Sequence, residues 1–391
     1  MKSSTVLSVG CTLVMTCAAV ESNAEKIPTT LETLVIYGSQ PDQWKLTRQS
    51  IINTPADFSP GARLDPAELL TAIPGVQVDS RTNYAQDTRI SLRGFGARSA
   101  FGVRGIDLLV DGIPMSTPDG QGQLSSVMLD TVTSAQVLRG PLASLYGNSS
   151  GGVISLQTSA PERSQLSVAG SGGDQGLERY QVQGGFRQGD FALRGQLADT
   201  RMNGDRPHSA AEREQAAVQL FYNIADDLDV RVKHEQSDDP LLEDPLGLTP
   251  EQWRTDPWQK NTLAETYNTR KSIKHQQTSI SLREQDGATR WQTSLWQGER
   301  DITQYLGFLG DGIAGSGGVV DLARDFAGGS AAITRSAALL SIPLELTVGA
   351  EVAQMEDRRR GYVNNLGLAG DLRRNETGEV TSRDIYSLIQ L

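Results

Sequence analysis

Gly147-Asn148-Ser149-Ser150-Gly151 fits the G-x-S-x-G spelling of a nucleophile elbow, where a serine sits on a sharp strand-to-helix turn and a histidine takes its proton. The residues that follow, Gly152-Val153-Ile154-Ser155-Leu156, are branched and apolar and predict a strand instead of a helix. His208, His234 and His275 are the chain's three histidines; they fall in or beside predicted loops, and no spacing ties any of them to the serine. Metal chemistry lacks its ligand pattern as well. There is no H-x-x-x-H, and Asp238-Asp239 with Glu243-Asp244 lacks the glycine-punctuated order of a calcium loop, so these acids read as a solvated loop. No G-x-x-x-x-G-K-[ST] is present, so any work the protein performs must be powered by a partner. The expectation is a chain with no catalytic residue, no metal and no cofactor, and not an enzyme.

Arg93-Gly94 and Arg139-Gly140 each place an arginine at the end of a predicted strand, followed by glycine. Alone, such an arginine is more often on the surface. A buried guanidinium would have to be paired and hydrogen-bonded.

The elements that position these residues are short strands. The chain has 391 residues, 40 of them glycine, and 38% are hydrophobic, which points away from a compact α/β enzyme. Lys2, the apolar run Val6 to Val20 and the small residues Ser22-Asn23-Ala24 read as a secretory signal, with a mature start near Glu25. Cys11 and Cys17 both lie within it, so the exported chain needs no disulfide. Removing Lys2 and Glu21 together leaves the net charge at −11, and nucleic acid is a poor partner for so acidic a chain. Beyond the signal no apolar run is long enough for a membrane helix, whereas a β-barrel stays open because its strands barely raise hydropathy.

After a polar leader, Glu32, Thr33, Leu34, Val35 and Ile36 form a β-prone pentapeptide that could add a strand to a partner's sheet. Asp65-Pro66-Ala67-Glu68 reads as a helix start, and Ile73-Pro74-Gly75 as its end after about two turns. Strands are predicted over Arg89 to Leu92, Ile106 to Val110, Ala135 to Leu138 and Val153 to Gln157, and a short turn or helix over Pro141 to Tyr146. Ser159-Ala160-Pro161 reads as a boundary. Beyond Glu162 about ten alternating segments follow. They are joined by tight turns at Gln188-Gly189, Ala225 to Asp229, Gln285 to Ala288 and Ser341 to Pro343. Long connections are expected over Ser237 to Thr269, Asp301 to Gly329 and Arg358 to Ser382. Short turns at one end and long loops at the other suit an outer-membrane barrel.

The stretch Asp87 to Gln123, DTRISLRGFGARSAFGVRGIDLLVDGIPMSTPDGQGQ, followed by VLRGPLASLYGNSSGGVISL, resembles the plug of TonB-dependent outer-membrane receptors. The resemblance implies an N-terminal α+β plug domain followed by an antiparallel transmembrane β-barrel. About ten strands fall short of the roughly 22 that enclose a plug, so the chain reads as an N-terminal portion. The implied organisation is a signal peptide over 1–24, a flexible leader with a TonB box over 25–40, a plug over 41–161 and the start of the barrel over 162–391. Glu32 to Ile36 would bind TonB, energised through ExbB and ExbD, and the protein would be a monomer in outer-membrane lipid of a Gram-negative bacterium. Arg93 and Arg139 would be buried and paired with glutamates of the barrel wall.

The segments SDDPLLEDPLGLTPE, TYNTRKSIK, GERDITQY, GGVVDLAR and GYVNN are similar to the enterobacterial pyrroloquinoline quinone branch of that family. This implies import of that planar tricarboxylate, with a ferric siderophore, or a binding-only surface role, as alternatives. Arg81, Arg98, Lys271 and Lys274 among Tyr84 and Phe101 are the candidate ligand contacts, since arginine forks suit carboxylates and aromatic faces suit a flat ring.

Overall fold

A computed structural model describes residues 50–53, 58–59, 61–80, 82–99, 102–139, 146, 151–284, 288–312, 315–339 and 342–390. The predicted signal segment, the leader with Glu32 to Ile36, Arg81, Phe101 and most of 140–150 lie outside them.

The first domain contains β1 (Ser50–Asn53), helix α1 (Ala67–Leu70), β2 (Val76–Asp79), β3 (Arg89–Leu92), β4 (Val103–Arg104), β5 (Asp107–Val110), β6 (Ile113–Pro114), β7 (Gln121–Gly122), β8 (Val132–Leu138) and β9 (Val153–Thr158). Its main sheet has the order β1-β8-β9-β5-β6, with β5 and β9 parallel, and β2-β3 and β4-β7 are small separate pairs. All six residues of β9 are buried, as a strand covered on both faces requires, which is why VISLQT reads as a continuous run. Leu69, Leu70, Ile73, Ile90, Leu92, Leu108, Ile154 and Leu156 form the core. Asp111 and Gly112 both have positive φ, +54° and +81°, and close the β5–β6 hairpin in the two-residue turn that matches strand twist.

The helix start is the expected one. Asp65 Oδ1 accepts from Ala67 N at 2.7 Å, and the Glu68 carboxylate accepts from the backbone N–H groups of Arg63 and Leu64 at 2.9 and 2.8 Å. The helix is one turn long, not two, because the chain tightens into turns after Leu70, with Ile73 N bonded to Leu70 O.

The large sheet is a ten-stranded antiparallel meander. Its strands are β10 (Gln165–Gly172), β11 (Glu178–Gln188), β12 (Phe191–Met202), β13 (Ala211–Asn223), β14 (Leu228–Glu243), β15 (Arg270–Glu284), β16 (Thr289–Tyr305), β17 (Val319–Leu339), β18 (Ile342–Asn365) and β19 (Leu368–Gln390). Among the described residues β10 and β19 remain its two edges. Alternate residues face the first domain, and the opposite face exposes Leu166, Val168, Tyr180, Leu197, Leu295, Val352 and Ile385. One end of the sheet has the tight turns 189–190 and 224–227. The other carries 173–177, 203–210, 306–312 with 315–318, and 244–269, the last holding α2 (Pro250–Thr255) and α3 (Thr262–Thr266).

Of the three long connections expected from sequence, Ser237 to Thr269 and Asp301 to Gly329 are strand in part, and Arg358 to Ser382 is strand but for its turn. β14 continues through Asp238 and Asp239 because Asp239 points inward, is fully buried and pairs with Arg213 at 2.9 Å, so these acids do not form a solvated loop. The segment Arg358 to Ser382 is a hairpin of β18 and β19, closed by Leu366-Gly367 with φ of +50° and +92°. Its residues are polar on both faces, which erased the alternation that marks the other strands.

Candidate functional site

The first domain packs against the inward face of the sheet through polar contacts spread over several strands. Arg179, at the long-loop end of β11, pairs with Asp130, and Arg194, toward the tight-turn end of β12, donates to the Thr131 carbonyl at 3.3 Å. Beside them Gln219 of β13 donates to Thr158 Oγ1 at 2.9 Å, and Asp111 accepts from the amide and hydroxyl of Thr158, each at 2.8 Å.

Arg300 of β16 donates to Ser126 Oγ at 2.7 Å. Lys271 of β15 lies 3.5 Å from Asp87, which also accepts from Gln123 at 3.1 Å. Burial alone would raise the Asp87 carboxyl, but Lys271, Arg300 and the Ser125 hydroxyl outweigh it and hold the group below its ordinary value. Trp296, Phe326 and Ala353 close over Ile113 in a small apolar patch. Nearest the long loops, Asn83 and Gln86 donate to the two oxygens of Asp244 at 2.8 and 2.6 Å, so one carboxylate joins the first domain to the base of the loop 244–269.

The charges thus run cation on the wall and carboxylate on the first domain at Arg179–Asp130 and Lys271–Asp87. The seam is mixed, since between these bonds Tyr84 with Ala85, Ile113 and Met128 of the first domain pack in small apolar patches against the wall.

Arg93 is exposed at φ +52°, contrary to its expected burial, and Arg139 is half-buried, donating to the Pro74 carbonyl at 2.9 Å. The two flank Gly75, where an added Cβ would touch both side chains. Neither is paired with a carboxylate among the described residues. Of the ligand candidates, Arg98 is exposed, while Tyr84 packs with Ala85, Ala211, Leu242 and Ile273, and burial raises its phenol. Lys271 is committed to Asp87, and Lys274 is exposed and 3.1 Å from Asp238. His234 and His275 lie within strands, not in or beside loops. Sequence reasoning missed Arg179, Arg194, Arg300 and Asp244. The available signal was a charged residue at an inward position of a strand, which a partner domain inside must satisfy.

Residues 47–153 match the TonB-dependent Receptor Plug Domain family. The first domain is a TonB-dependent receptor plug. The chain is 26% identical over 195 residues to the ferric enterobactin receptor of Pseudomonas aeruginosa, covering 44% of this chain and 23% of that protein. It is 30% identical over 141 residues to the vitamin B12 transporter of Photobacterium profundum, covering 34% of this chain and 22% of that protein. The unliganded ferric citrate transporter superposes with a TM-score of 0.71 at 19% identity, over 88% of this chain and 54% of that one. The chain therefore spans about half, or less, of the length of these relatives. In fold, the plug is followed by ten antiparallel strands of a barrel wall.

Proposed function

We propose that this chain belongs to a TonB-dependent importer in the outer membrane of a Gram-negative bacterium. The observation that carries the reading is a plug held against ten barrel strands by ion pairs, hydrogen bonds and small apolar patches. Among the described residues no helix is long and apolar enough to cross a membrane, so crossing falls to the strands. A ligand captured by the external loops and plug apices frees the Glu32 to Ile36 segment, TonB adds to it as a strand, and force drawn through ExbB and ExbD moves the plug. No bond of the ligand is broken. Arg93, exposed, and Arg139, half-buried beside the same Gly75, are proposed to meet wall glutamates in a closed barrel.

The ligand is a scarce, bulky small molecule. Pyrroloquinoline quinone rests on the similarity of the barrel segments, with Arg98 and the plug residues Arg81, Tyr84 and Phe101 as proposed contacts. A ferric siderophore is the second reading, favoured by a relative named as a receptor of ferric enterobactin. Uptake by the full-length receptor, with and without Glu32 to Ile36, tests the mechanism. Loss of uptake with binding retained is expected, and uptake that survives the deletion would replace import with a binding-only role. Titration with pyrroloquinoline quinone and with ferric enterobactin separates the ligands.

A further inference from the structure

Five inward positions on neighbouring strands stand side by side in continuous register: Ser237 of β14, His275 of β15, Arg300 of β16, Arg324 of β17 and Asp357 of β18. Arg300 and Arg324 are direct cross-strand partners, and like charges so placed repel. Arg324 is neutralised by two bonds to Asp357, at 2.6 and 2.7 Å. Around the row Lys271 pairs with Asp87, Arg213 with Asp239, Lys233 with Glu235 and Arg104 with Asp119. Arg300 has no carboxylate within 4.0 Å among the described residues. It bonds to the hydroxyls of Ser126 and Ser125, and Asp87 and Asp239, each already paired, act on it from farther off. Its sequence neighbours Glu299 and Asp301 are exposed on the opposite face. One buried positive charge is left over.

A cavity of about 40 Å³ lies between this row and the plug segment Pro114 to Gln123. The wall lines it with His275, Gln277, Arg300 and Arg324, and the plug with Thr117 and Gln123 among others. His275, Gln277 and Arg300 are only 6%, 4% and 7% exposed. Yet both ring nitrogens of His275, Oε1 of Gln277 and Nε of Arg300 have no hydrogen-bond partner among the described residues. Phe326 stacks on the His275 ring, with centroids 6.0 Å apart and planes 10° apart, and fixes its orientation. Trp296 and Phe326 also give the cavity an apolar side, where a guanidinium without a counter-charge is costly. What suits the cavity is small, negative and able to accept several hydrogen bonds. A water takes roughly 10–15 Å³ of such space, so the cavity admits one halide ion with little beside it and excludes any imported ligand of the size considered above.

We propose that this cavity binds one halide ion, chloride in the cell envelope, as the counter-ion of Arg300. His275 donates a ring N–H to it, and the Gln277 amide turns an N–H inward. Because the plug supplies part of the lining, the ion binds while the plug is seated, and chloride thereby favours the seated state. The site depends on the plug–wall contact and not on which ligand is imported. Crystals of the full-length receptor grown in bromide test it by anomalous diffraction. A bromide peak beside Arg300 is expected, and water alone there would overturn the proposal. In solution, thermal unfolding of the plug is followed in chloride and in gluconate at equal ionic strength. Chloride should raise the midpoint, and His275→Phe should weaken the apparent chloride affinity at least about tenfold, the loss of one bond to a charge. His234→Phe, on the outward face of β14, should leave the chloride dependence unchanged. A bromide peak without any chloride dependence in solution would mean an adventitious ion only and would also overturn the proposal. So would equal chloride dependence in the native chain and His275→Phe. Protease protection of the plug reports folding; where His275→Phe loses it, Gln277→Leu takes its place with the same expected loss of affinity.

Discussion

Arg179 on the barrel wall and Asp130 in the plug face each other through two parallel bonds, Nη1 to Oδ1 at 3.0 Å and Nη2 to Oδ2 at 2.6 Å, with side chains only 4% and 8% exposed. A guanidinium fork matched to a carboxylate out of water fixes position as well as energy. Removing one partner strands the other charge in a dry place. Arg179→Ala in the full-length receptor should cost the plug–wall contact about 3–5 kcal/mol. Limited proteolysis of the plug reads it; protection equal to the native chain would reject the role.

Asp244 is the carboxylate through which the plug apex and the largest described loop hold each other. Asp244→Ala should cost about 1–3 kcal/mol and speed amide exchange at both 83–86 and 244–246. Acceleration on one side alone would show that the two segments are not joined through this group.

Arg93 and Arg139 both border Gly75, Arg93 with its Cγ and Arg139 with a guanidinium nitrogen. The double variant Arg93→Ala with Arg139→Ala should loosen the plug in the full-length receptor and shorten its survival under protease. Unchanged survival would leave Arg139 with its Pro74 bond and no part in holding the plug.

Burial raises the Asp107 carboxyl to about 7, with Asp384 adding to the effect, and bonds from the Ser116 hydroxyl and Leu108 N–H oppose it. The fold thus favours the proton. That contribution to stability is fully present below the unfolded value of about 4 and is lost as pH rises through about 7. Thermal stability of the plug should therefore decline between about pH 4 and 7 and level off above, and Asp107→Asn should flatten the decline. Identical slopes for the two chains would exclude Asp107 as its source.

Much of the fold was legible because strands of a half-exposed wall alternate and turns punctuate them. β3, β5 and β9 lie within a residue of their expected bounds, and Asp65 and Glu68 announce the helix start by chemistry local to the turn. Legibility failed where a strand needs no apolar face. The polar run DRRRGYVNN reads as loop by composition, yet it pairs with β19 along its length. It failed again for the seam: Asp130 and Arg179 lie 49 residues apart, and nothing local tells either that the other exists. Motif spelling found the neighbourhood of Arg93 but not its exposure, which depends on what covers it.

β18 and β19 are 24 and 23 residues long. At about 3.4 Å per residue and a tilt near 40°, such a hairpin rises about 60 Å, whereas the apolar belt of a barrel is about 25 Å tall. The surplus is altitude. In a cell envelope this hairpin would stand as a parapet some 35 Å above the lipid, within reach of antibodies, and the part of the molecule an approaching particle meets first.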